Sequence, residues 1–426
     1  MQWTIRYKPR LTHCKRVTLL VGLAWLAAGC ASSPGSQPPE PLPQHSTPYA
    51  LDKHWQLQLE AFVPAQAEGL GWAMAPEHVF FASPSGHLTK AKRASQDRWV
   101  DQIVWQKKLG ASVSAGPTLR DGQVVIGTTK GQLVSYDASS AQTLWSTRLS
   151  SEVLSRPVMS ESQLFVRTVD GKLYAINPEN GQTNWVIERN LPNLSLRGLA
   201  PVTYHQGRVY IGWENGKIEA LDARTGSQLW ERQFILPSGR TDLERLVDIQ
   251  ARLLIKDQRL FALGYQGKLA ALNPETGRLY WSQPLSGYRS MQLDAQGLYV
   301  VTADDALHAL DPVNGTQLWT QPLLKGRSLS DVFLYGQDQL LVADRYGHLH
   351  WFDRVDGSVV ARNQIARPGT GEALIKLWVE APNVMTLDAD GFVKAYQVQP
   401  SDWLEFHHPE RVDTLFSTQA LDTSKP

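Results

Sequence analysis

Apolar and polar residues alternate in short runs along most of this chain, and the runs come in pairs separated by a glycine turn. Gln123-Val-Val-Ile-Gly, Arg208-Val-Tyr-Ile-Gly and Arg259-Leu-Phe-Ala-Leu-Gly each precede such a turn, and a second run such as Gly131-Gln-Leu-Val-Ser-Tyr follows it. Period-two runs of this length predict β-hairpins. An Asx residue then opens a turn closed by glycine, and another run is centred on a tryptophan, as in Asn177, Gly181 and Trp185. A shorter run before each hairpin, Ser155-Arg-Pro-Val-Met or Ala200-Pro-Val-Thr-Tyr, supplies a fourth strand. Four short strands in a period of about 40 to 50 residues describe a propeller blade.

Two series count the blades. The glycine opening the third strand recurs at Gly86, Gly131, Gly171, Gly216, Gly267, Gly347 and Gly391, with Asp305 once in its place. The outer-strand tryptophan recurs at Trp55, Trp105, Trp145, Trp185, Trp230, Trp281 and Trp319, with Ala361 at the eighth place. The series are offset, since Trp55 precedes every hairpin and the hairpin at Gly391 has no tryptophan strand after it. The strand from Trp55 to Leu59 is therefore expected to complete the last blade. The fold class that follows is all-β, an eight-bladed propeller of four-stranded antiparallel blades spanning residues 51–400, with its ring closed by an N-terminal strand. These tryptophans are read as structural, because an indole buries a large area and keeps one N–H for a partner.

The ends of the chain are different. Residues 1–29 carry five basic residues, no acid and the apolar run from Val17 to Ala28, which is the pattern of a secretory leader. The leader ends in Leu26-Ala-Ala-Gly-Cys30, which resembles a bacterial lipoprotein signal and makes Cys30 the expected lipidation site. Ala31 in place of Asp implies, by the same resemblance, the outer membrane. Residues 31–50 are rich in Pro and Ser, a composition that stays extended and could reach roughly 60 Å as a tether. Residues 401–426 have lost the repeat and are read as a flexible tail. Removal of the leader takes Cys14 with it and leaves 37 basic residues against 41 acidic ones. No disulfide is then expected, and nothing recruits nucleic acid.

Ala175, Asn177, Gly181 and Trp185 recur as Ala220, Asp222, Gly226 and Trp230, as Ala271, Asn273, Gly277 and Trp281, and as Ala309, Asp311, Gly315 and Trp319. This resembles the tryptophan-docking motif of quinoprotein-type propellers. Two stretches interrupt the period, Leu191-Pro-Asn-Leu-Ser-Leu-Arg-Gly198 and Gly239-Arg-Thr-Asp-Leu-Glu-Arg-Leu-Val-Asp-Ile-Gln250. They resemble the connecting loops of the propeller lipoprotein family of the outer-membrane β-barrel assembly machinery, and that resemblance runs from about residue 52 to 398. It implies docking on the periplasmic domains of the barrel subunit through Leu194, Leu196, Arg197, Arg245 and Asp248, possession of an outer-membrane lipid anchor, and help in inserting nascent outer-membrane proteins. Gln250 departs from the family pattern, which has a second acidic residue there. Exposed leucine beside arginine is also, on physical grounds, an interface composition. The bland alternative is that Leu194 and Leu196 cap the ring and Arg197 pairs with Asp248.

Catalysis is not expected, and no catalytic, metal or cofactor residue is assigned. Quinoprotein dehydrogenases share the propeller, but the Cys pair often used by that family has no counterpart in a mature chain whose one Cys is destined for acylation. His407 and His408, with Glu405 and Glu410 nearby, lack a second ligand cluster at metal spacing. Asp388-Ala-Asp-Gly391 sits where every blade has a hairpin turn and lacks later acidic ligands. The alternatives to a scaffold are a quinone-dependent enzyme or an envelope lipoprotein with a different partner.

Overall fold

The computed structural model describes residues 41–43, 45, 47–59, 69–93, 103–192, 194, 200–366 and 374–401. The leader, Cys30, the start of the tether and the tail with His407 and His408 lie outside the described residues. The described elements are 32 β-strands in eight four-stranded antiparallel sheets. Seven blades are built from four consecutive strands each. The eighth has the order β1-β32-β31-β30 and joins Tyr49–Gln58 to Phe392–Pro400, Asn383–Asp388 and Leu374–Glu380.

That eighth sheet is the expected closure. Trp55 pairs with Ala395, and Leu59 N–H donates to Gly391 O at 2.8 Å. The N-terminal strand also reaches the seventh blade, where Gln339 Nε2 donates to Tyr49 Oη at 2.6 Å and Asn363 Nδ2 to Tyr49 O at 2.8 Å. A ring closed by hydrogen bonds between the chain's two ends leaves no open sheet at the seam.

The core lies between blades. Phe165, Leu173 and Ala175 of the third blade pack on Val209, Ile211, Trp213 and Leu221 of the fourth. Period-two alternation buries one face of every middle strand against each neighbour, so β15, Arg208–Gly212, is buried at four of five positions. The repeat tryptophans cross these seams. Trp145, Trp185, Trp230, Trp281 and Trp319 donate Nε1–H to the carbonyls of Pro178, Ala223, Pro274, Pro312 and Arg354, at 2.7 to 3.1 Å. Each acceptor directly follows the Asx of the next blade. The turn glycine of that blade lies under the indole: a Cβ at Gly181, Gly277 or Gly315 would come within 2.6 Å of the ring.

Two blades depart from the pattern. In the second, Ala141 occupies the turn-glycine position with φ 58°, a left-handed conformation that a Cβ disfavours. The tryptophan of the preceding blade, Trp105, has a buried Nε1–H without an acceptor among the described residues. The methyl group stands where the other seams keep space for an indole. Ala141→Gly is expected to stabilise the protein by about 1 kcal/mol, the relieved strain exceeding the added chain entropy of glycine. A urea midpoint that stays or falls would contradict this. In the seventh blade the large and small residues change places: Trp351 lies on the third strand opposite Ala361. Trp351 is fully buried and packs edge-on against Tyr49 at 5.6 Å, so the missing outer tryptophan is replaced from within the same pair.

Candidate partner-docking loops

The two interruptions of the period flank the fourth blade. The first leaves β13, Thr183–Glu188, and enters β14, Thr203–His205; the second leaves β17, Gln228–Gln233, and enters β18, Leu254–Lys256. Leu194 is 46% exposed, as a docking residue must be. Leu196 and Arg197 lie outside the described residues. Arg245 is exposed and its Nη2 lies 2.9 Å from Asp242 Oδ1.

Asp248 is placed differently from the surface position that docking implies. It is fully buried, and its backbone bridges Tyr265, whose N–H donates to Asp248 O at 2.8 Å. Its carboxylate accepts from Gln250 Nε2 at 3.4 Å, while Oδ1 has no partner among the described residues. Burial pushes this carboxyl up to about 7, the charge of Glu214 adds to the shift, and Arg167 opposes it. The cause lies in the sequence around it: Val247 and Ile249 enter the core on either side, and Ile249 fills the space that glycine leaves at Gly212.

Beneath both loops lies a buried ion-pair network. Arg167, on β11 (Leu164–Arg167), donates from Nη2 to both carboxylate oxygens of Glu214, at 2.9 and 3.0 Å, and both side chains are only 2% exposed. Its other nitrogen donates to Ala200 O at 3.1 Å and Gly212 O at 3.3 Å, which fixes the end of the first loop. Arg167 also lies over the Trp213 ring, 5.0 Å from its centroid. Arg189, just before the first loop, pairs with buried Glu219, which accepts Trp213 Nε1–H at 3.0 Å as well. Arg167 Nε alone is left without an acceptor among the described residues, and the remaining paired charges act here as a rigid base for irregular chain.

The second loop carries a feature that sequence reasoning passed over. Thr241 and Glu244 form a capping box: Glu244 N–H donates to Thr241 Oγ1 and Thr241 N–H to Glu244 Oε2, both at 3.2 Å. The Arg240 N–H adds a bond to the same carboxylate oxygen at 2.6 Å, and these backbone donors hold Glu244 below its ordinary value. The turn so fixed presents Leu243 at 68% exposure, and Leu236 ahead of it is 76% exposed. The Thr-x-x-Glu spacing was the available signal.

Because the Asp248 proton is bound more tightly in the fold than in the unfolded chain, its contribution to stability is full below the ordinary 3.8 and fades as pH rises through about 7. Asp248→Asn removes that slope. The variant should gain on the parent between pH 5 and pH 8 by about 2 to 3 kcal/mol, the part of the shift that falls in that window. Thermal unfolding across that range checks it, and a constant difference between the two proteins would contradict it.

One further cluster has metal-like composition, Asp344 with His348 and His350. Its chemistry is that of a turn. Asp344 accepts the His348 N–H at 2.9 Å, as Thr128 and Thr302 accept the equivalent N–H in other blades. Arg327 Nε lies 2.6 Å from its carboxylate, and Arg362 Nε donates to His350 Nδ1 at 3.1 Å. Arg327 therefore already supplies a cation to Asp344, and Arg362 takes up the His350 nitrogen that points away from it. In Asp388-Ala-Asp-Gly391, the first carboxylate likewise caps the turn, accepting Phe392 N–H at 2.8 Å.

Comparison with known proteins places this geometry. A family model described as outer membrane protein assembly factor BamB matches residues 94–321 and 303–399. The chain is 38% identical to the assembly factor BamB of Pseudomonas aeruginosa over 351 residues, covering 82% of this chain and 91% of that one. It is 31% identical to the BamB of Escherichia coli over 365 residues, covering 83% and 93%. The crystal structure of BamB from Moraxella catarrhalis superposes with a TM-score of 0.72 at 27% identity, over 82% of this chain and all of that one. A quinohemoprotein alcohol dehydrogenase from Pseudomonas putida also superposes, at TM-score 0.63 and 12% identity, which shows a shared fold alone. With eight blades closed at the N-terminus and relatives matched over most of their length, this chain belongs to the outer membrane protein assembly factor BamB family.

Proposed function

We propose that this chain is a non-enzymatic subunit of the machinery that assembles outer-membrane proteins, and that it docks on the periplasmic part of the barrel subunit through the loops flanking its fourth blade. Exposed leucines on loops braced by a buried ion-pair network are the observation that carries this reading. A soluble surface has no need to build a capped turn around a leucine that is two-thirds exposed, whereas a docking surface needs a preorganised apolar anchor with charge at its rim. Cys30 is the proposed lipid attachment, with residues 31–50 as the tether that lets the ring reach its partner. The finer docking set is Leu194, Leu196 and Arg197 from the first loop and Leu236, Leu243 and Arg245 from the second, with Asp248 positioning the second loop from beneath.

The test is co-purification. Replacing Leu194, Leu196 and Arg197 together by alanine should abolish recovery of the barrel subunit while the circular dichroism and melting of the ring stay unchanged. Full recovery with the folded variant would remove the assignment.

A further inference from the structure

The ring axis holds a cavity of about 550 Å³. Its lining comes from seven of the eight blades, in each case from the innermost strand or the residues leading into it, which places it at the centre of the ring. Four cations face it: Arg156, Arg252, Arg289 and Lys376. Asp331 is the one carboxylate among the described lining residues, and one of its oxygens already accepts the Ser290 N–H at 2.8 Å.

The three arginines, Arg156, Arg252 and Arg289, have no carboxylate partner among the described residues. Arg156 is held by the Pro117 carbonyl, at 2.8 Å from Nε and 2.7 Å from Nη2, and by the carbonyl of Trp72. Such neutral acceptors aim the guanidinium without cancelling its charge. Arg289 stacks on Tyr288 at 4.8 Å, and its buried Nε–H has no acceptor. Desolvation, with a smaller contribution from the neighbouring charge of Arg252, lowers Arg156 from its ordinary value.

Residues 30–426 carry 37 basic side chains against 41 acidic ones, so a concentration of positive charge at the centre is not a by-product of composition. Fields of one sign in a walled cleft are focused and concentrate counter-ions. We propose that the central cavity is a binding site for a multiply charged oxyanion, a phosphate- or carboxylate-bearing group held by Arg156, Arg252 and Arg289. Guanidinium forks suit both chemistries through paired N–H···O bonds. Ala200 and Gln250, where the two loops end, share in the lining, but none of the three arginines belongs to the proposed docking set and the test does not depend on that set.

Titration calorimetry of the full chain with pyrophosphate and, separately, with citrate, at constant ionic strength, tests the assignment. Saturable binding of either probe is expected, and the stronger of the two identifies the phosphate or carboxylate class. Arg252→Gln with Arg289→Gln should weaken it at least tenfold. Asp331→Asn, which removes the opposing charge and keeps the acceptor for Ser290, should tighten it. Absence of saturable binding to the parent overturns the proposal, as does equal affinity in the folded double variant. Should the double variant fail to fold, Asp331→Asn decides: unchanged or weaker binding overturns it.

Discussion

Glu214→Ala should cost about 3 to 5 kcal/mol of folding stability, the range for removing one partner of a buried ion pair. The guanidinium of Arg167 would stay at 2% exposure with only the carbonyls of Ala200 and Gly212 to accept its protons. Two effects act in opposite directions. Loss of the Glu214 charge relieves one of the causes that keep the Asp248 proton bound, so Asp248 can ionise and partly replace the missing counter-charge. The deficit should therefore be larger at pH 5, where Asp248 stays neutral, than at pH 8. Arg167→Met with Glu214→Met should recover much of the loss, because no charge is then left buried. Denaturant unfolding at both pH values measures these differences; a single variant as stable as the parent would show that the network is not what braces the loops.

A second large effect is expected at the surface. Leu236→Asp with Leu243→Asp should lower affinity for the barrel subunit by about a hundredfold or more, since anchors at the centre of an interface are typically worth 2 kcal/mol or more each when truncated. Both side chains are more than two-thirds exposed, so the fold should not register the change. The capping box formed by Thr241 and Glu244 is untouched by either substitution, which separates loss of contact from loss of loop shape. Pull-down or interferometry with the barrel subunit's periplasmic domains reads the effect. Unchanged binding would move the interface off the second loop.

The architecture was legible because propellers repeat their rules. The positions of Gly171, Asn177, Gly181 and Trp185 have the same work in most blades, and the offset between glycine and tryptophan series led directly to the pairing of Trp55 with Ala395. What escaped was non-repetitive. Asp248 reads as a loop carboxylate in sequence, and only the packing of Val247 and Ile249 shows that the chain has already turned inward at that point. The exchange between Trp351 and Ala361 conserves volume across a strand pair, which a search along single positions cannot detect. The cations of the central cavity are separated by up to 220 residues in sequence and meet because each precedes or lies on an innermost strand. Both candidate docking loops were visible as interruptions of the period, but the second hid its exposed leucines among charges that the capping box organises.

On the proposed reading, the loops flanking the fourth blade touch the barrel subunit. Site-specific photocrosslinking in cells, from residues 194 and 243 with residue 130 on the exposed turn of the second blade as a control, tests it most directly. Adducts with the barrel subunit from 194 and 243, and none from 130, are the predicted result; no adduct from either loop, or equal adducts from the control, would contradict the account.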